Sequence, residues 1–148
     1  MQPALSASPA LDYLQYQYRP DLEVLVGRWL RQPSEEELQA GYYRLLEAAE
    51  ACGARLWLMD ARRRDHANQQ ATPWMMETFF PLLAERLGPP VSMAFLFMPA
   101  HLYDLEHDTQ VPPLSYFDGR PYRVARFVDE HAAMQWLENC RLQLAAQA

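Results

Sequence analysis

Leu56-Trp57-Leu58-Met59-Asp60-Ala61-Arg62-Arg63-Arg64-Asp65, followed after a short gap by Thr72-Pro73-Trp74, decides how this chain is read. The four apolar residues show no alternation, so they describe a strand covered on both faces, as in a parallel sheet flanked by helices. Asp60 ends the run, three arginines follow, and Thr72-Pro73 opens a helix. Such a strand delivers a carboxylate and guanidinium groups to the rim of a sheet, where strands end and helices begin. Ligands of open α/β sheets bind at that rim. The stretch names a place and not a reaction.

Upstream, residues 12–30 hold two strand-like runs. Leu14, Tyr16 and Tyr18 alternate, and Leu22, Val24 and Val26 repeat the pattern after the turn Arg19-Pro20-Asp21. Ser34 with Glu37 forms a capping box. Leu38, Tyr42, Leu45, Leu46, Ala49 and Cys52 then recur at helical spacing until Gly53. Downstream, the helix from Thr72 carries an apolar arc from Trp74 to Leu87 that is too wide for one ordinary contact. It is buried on two sides or meets a second copy in a homodimer. Pro81 removes a backbone donor, which predicts a kink or break near Met76 to Phe80. Strands are predicted at 91–98 and 122–128, with a short helix or turn over 99–108 and a proline loop over 111–119. Asp129 caps a last helix with the stripe Ala133, Trp136, Leu137, Cys140 and Leu144. The predicted fold is α/β: one domain over 12–148, with a mixed, mostly parallel sheet of about five strands flanked by helices. Residues 1–11 are expected to form a flexible N-terminal arm.

The chain has 148 residues, half of them apolar or aromatic, enough for one core without staples. No run approaches the length of a membrane span and the first residues lack the basic start of a secretory signal, so a cytoplasmic protein without a transmembrane segment is expected. A net charge of -6 argues against general nucleic-acid binding. All 13 basic residues are arginine, which removes lysine-based Schiff-base chemistry. Cys52 and Cys140 read as small core residues, with a disulfide possible but not needed.

If the sheet is parallel, its strand ends bring together Arg28 and Arg31, then Asp60 with Arg62 and Arg63, then His101 with Tyr103. Guanidinium forks and the helix start at Thr72 and Trp74 suit an anionic group. In the structural alternative Asp60 accepts loop amides or pairs with Arg62. His101, Asp104 and Asp108 share a helical face but match no established metal spacing, so neither metal nor cofactor is called for. No nucleophile elbow, phosphate loop or zincin motif is present, and no residue declares catalysis. The aromatics from Trp57 to Tyr122 are shared among core, pocket and interface readings.

The element order, with Trp57-Leu58-Met59-Asp60-Ala61-Arg62 and the close Asp129-Glu130-His131-Ala132-Ala133-Met134-Gln135-Trp136-Leu137, resembles the STAS-type domains of the bacterial SpoIIAA-like branch, the anti-sigma factor antagonists. That resemblance implies a non-enzymatic regulatory module acting through a protein partner. It places a phosphoacceptor at Thr72, although the Asp-Ser-Ser-Gly pattern of the antagonists is missing from Asn68-Gln69-Gln70-Ala71-Thr72-Pro73. The alternative function is a small-molecule or lipid-like carrier with an apolar or anionic pocket at the strand C-terminal ends.

Overall fold

The computed structural model describes residues 11–64 and 71–147; the expected arm, His66 and the Asn68–Gln70 stretch lie outside or almost wholly outside them. Strands β1 (Leu14–Arg19) and β2 (Val24–Trp29) form the expected antiparallel hairpin, and α1 (Glu35–Cys52) follows. Ser34 Oγ accepts from Glu37 N at 3.1 Å while Glu37 Oε1 accepts from Ser34 N at 2.9 Å, the reciprocal cap read from the sequence. Gly53 ends α1 in the left-handed region, φ 70°, which a side chain would strain. Strand β3 (Leu56–Asp60) is buried along its whole length.

The next helix begins at α2 (Ala71–Trp74), widens to a π-helical turn over Met75–Phe79, and continues as α3 (Phe80–Leu87). Pro81 accounts for the widening. It cannot donate to the preceding turn, and the ladder re-forms with a five-residue step from Phe80 N to Met75 O. The helix begins at Ala71, one residue before the expected start, and Thr72 lies inside its first turn. The wide apolar arc is absorbed within the chain: Met75, Phe79, Phe80, Leu83 and Ala84 are buried, and Trp74, Met76, Leu82 and Leu87 pack against the same core. Strand β4 (Val91–Leu96), α4 (Pro99–Glu106), a 3-10 turn (Leu114–Phe117), β5 (Tyr122–Phe127) and α5 (Glu130–Gln147) complete the order. Asp129 caps α5 through Oδ2, which accepts from Ala132 N at 3.0 Å.

The five strands stand in chain order, β1-β2-β3-β4-β5, with β2 to β5 parallel. When each crossover has the same hand and each new strand is added on the same side, every connecting helix falls on one face. Helices α1 and α3 accordingly share one core with Leu25, Trp57, Met59 and Met93. Helix α5 follows the last strand and is no crossover. It folds back over the opposite face, where Ala133, Leu137 and Cys140 cover Val24, Val26, Leu56, Leu58 and Ala94. Among the described residues no helix is long and apolar enough to cross a membrane.

Helix α1 approaches β2 closely because Gly41 carries no side chain. A Cβ there would stand 2.8 Å from the ring of Trp29, which is held between Tyr13 and Tyr42. Gly41→Ala should lower stability by about 1 kcal/mol, the overpacking cost outweighing the gain in helix propensity. A urea midpoint equal to or above that of the wild type would contradict this packing.

Candidate ligand-binding site

The strand ends carry two different environments, one on each face of the sheet. Alternation along β3 sends Trp57 and Met59 toward α1 and α3, and Leu58 and Asp60 toward α5. On the α5 face, Asp60 Oδ1 accepts from Arg62 N at 3.1 Å and Arg62 Nε at 3.0 Å. Its Oδ2 accepts from Arg62 Nη2 at 2.9 Å and Arg28 Nη1 at 2.7 Å. Arg28 then reaches the first residue of α5 with two bonds to Glu130, at 3.0 and 3.1 Å, and Arg62 reaches the same carboxylate at 3.4 Å. Two guanidinium groups and two carboxylates thus neutralise one another and tie β2, β3 and α5 together. Burial alone would raise the pKa of Asp60, but the hydrogen bonds from Arg62 and Arg28 outweigh it and hold the carboxyl below its ordinary value. Arg63 beside this cluster is exposed and makes no ion pair among the described residues.

The other face holds a cavity of about 130 Å³. Phe95 of β4 with Val124 and Arg126 of β5 form its floor, and Met75, Met76 and Phe80 form one wall. His101 and Leu105 of α4, with Val111, Pro112 and Phe117 of the following loop, close the rest. The void has a structural origin. Helix α4 has only 8 residues, about 12 Å at 1.5 Å per residue, so the last crossover covers much less sheet than the 18-residue α1. A proline loop and a 3-10 turn take over part of the cover. The π-helical turn widens the opposite wall; such turns recur at functional sites.

Most of the lining is apolar. The polar and charged lining residues besides Tyr42 are Arg64, Thr72, His101 and Arg126, and no described carboxylate lines the cavity. Arg64 lies over the Trp29 ring, 5.7 Å from its centroid. His101 is 8% exposed and meets the Phe97 ring edge-on at 4.9 Å. Arg126 Nη2 donates to the Pro112 carbonyl at 3.2 Å; among the described residues this is its only hydrogen bond and no carboxylate stands within ion-pair distance. Burial lowers the pKa of Arg126, and the attraction of Glu106 only partly opposes this. Arg28, Arg31, Arg62, Arg86 and Arg141 all shift the other way, raised by carboxylate partners.

The residues expected to meet at one rim are therefore divided. Asp60, Arg62 and Arg63 stand on the α5 face, while Thr72 and His101 line the cavity on the other. Arg31 joins neither: it bonds Glu37 at 2.8 and 2.9 Å and lowers that carboxyl to about 2. Trp74 packs against Tyr42, Tyr43 and Phe79. Tyr103 is 60% exposed and stacks on His107 at the surface. Arg126 was not among the expected site residues, although strand alternation places it on the same face as Tyr122 and Val124, an arginine at an inward position. No known family model, curated protein or solved structure matches the chain.

The Asp60 cluster gives a direct test. Asp60→Ala should cost about 1 to 3 kcal/mol at pH 7, because two guanidinium groups lose a largely buried acceptor but keep Glu130. The folded-state pKa is lowered, so this contribution is complete above the unfolded carboxyl value and is lost as the pH falls through the folded one. Urea unfolding of both proteins should show the gap narrowing below about pH 4. A gap independent of pH would contradict the assigned charge state.

Proposed function

We propose that the protein is a small-molecule-binding module whose ligand occupies the cavity between the β4–β5 half of the sheet, the π-helical turn and α4. One observation carries this reading: a cavity of about 130 Å³, with a mostly apolar lining and a few convergent polar groups, at the strand C-terminal ends. An apolar void of similar size, about 150 Å³, accommodates a benzene-sized guest.

A regulatory protein contact of the STAS type is the second reading, favoured by the position of Thr72. That residue lines the same cavity, so a phosphate on it and a bound ligand would compete for space. Contact through the opposite rim has less support, since Asp60 and Arg62 already satisfy each other together with Arg28 and Glu130. The homodimer expected from the apolar arc is not part of the proposal, because that arc is packed inside the chain.

Native mass spectrometry of protein purified from its own host should reveal a population carrying one small organic ligand. Val124→Phe, which places a ring in the cavity floor, should retain the fold and lose that population. Identical ligand content in the two proteins would show that the ligand sits elsewhere and would defeat the reading.

A further inference from the structure

Arg126 is the most unusual charge in the molecule. Its guanidinium has five donors, and the Pro112 carbonyl takes only one hydrogen bond from it among the described residues. Arginine stays protonated at physiological pH, so the half-buried group is a cation. A part-buried cation is costly unless a counter-charge meets it. The fold supplies such a counter-charge to Arg28 and Arg62 through Asp60 and Glu130, and to Arg86 through Glu50. Among the described residues none reaches Arg126: Glu106 attracts it through space but makes no ion pair with it.

The surroundings set the rest of the ligand. On the floor, Phe95 stands directly across from Arg126 in the β4–β5 register, with Val124 on the same face of β5. Phe80, Phe117 and Met75 complete an apolar compartment, and its aromatic rings suit a flat partner. At about 130 Å³ the space fits one six-membered ring or a short branched chain. A guanidinium fork matches the two oxygens of a carboxylate.

Resting on the cavity reading above, we infer that the ligand is a compact apolar carboxylate, aromatic or branched, whose carboxylate is paired by Arg126 while its body lies among Phe80, Phe95 and Phe117. Arg126 then has two roles, holding the loop at Pro112 and supplying the counter-ion of the ligand.

Isothermal calorimetry with benzoate and its neutral counterpart benzyl alcohol tests this on the wild type, Arg126→Met and Arg126→Lys. Wild type should bind benzoate at least about tenfold more tightly than benzyl alcohol, a difference of about 1.4 kcal/mol. Arg126→Met should bind the two probes equally, and Arg126→Lys should keep part of the preference because it retains the charge but not the fork. Circular dichroism of each variant establishes that it is folded, and the wild-type comparison stands without them. Equal affinity of the wild type for both probes would overturn the carboxylate assignment while leaving the cavity as a neutral-ligand site. An undiminished preference in folded Arg126→Met would overturn the role of Arg126. Binding of neither probe would overturn both this inference and the cavity reading on which it rests.

Discussion

The strand order constrains everything else in this protein. Four parallel strands laid down in sequence, each beside the last, oblige the crossover helices to share one face. That face is well covered where α1 crosses it and thinly covered at β4 and β5, where the final crossover has only two helical turns and a proline loop. The opposite face would be open without α5, whose small residues Ala133 and Cys140 let it lie close against Val24, Leu58 and Ala94. Cavity and closing helix are thus two consequences of one topological fact.

Electrostatics then distinguishes the two faces. At the end of β3 the charges are matched within the molecule: Asp60 and Glu130 between them engage both Arg28 and Arg62, and the result fastens the first turn of α5 to the sheet. A site whose charges already satisfy one another gains little by attracting another ion. At the end of β5 Arg126 meets, among the described residues, a single carbonyl and an apolar compartment, and no carboxylate pairs with it. The difference is carried by partners and burial, since the residue type is the same in both places.

Local signals in the sequence were largely sufficient for the elements. The unbroken Leu56–Met59 run is a central strand, Ser34 and Glu37 close their capping box, Asp129 caps α5, and the missing donor of Pro81 produces the π-helical turn upstream of it. The site was less legible because it depends on the parity of each strand. Asp60 and His101 both lie near strand ends, yet alternation puts Asp60 under α5 while His101 lies over the other face. Arg31 was drawn away from the rim by Glu37, a partner whose capping role was visible but whose second bond was not. Arg126 was readable in principle from Tyr122-Arg123-Val124-Ala125-Arg126-Phe127. That no described carboxylate pairs with it emerges only when β5 is seen beside β4 and beneath the proline loop.

The central claim is that a ligand carboxylate completes the environment of Arg126. A crystal structure of the protein soaked with benzoate addresses it most directly. The ring should lie between Phe80, Phe95 and Phe117, with both carboxylate oxygens about 2.7 to 2.9 Å from the Arg126 guanidinium. Benzoate seated instead beside Arg62 or Arg63 on the α5 face, with the cavity empty, would contradict it.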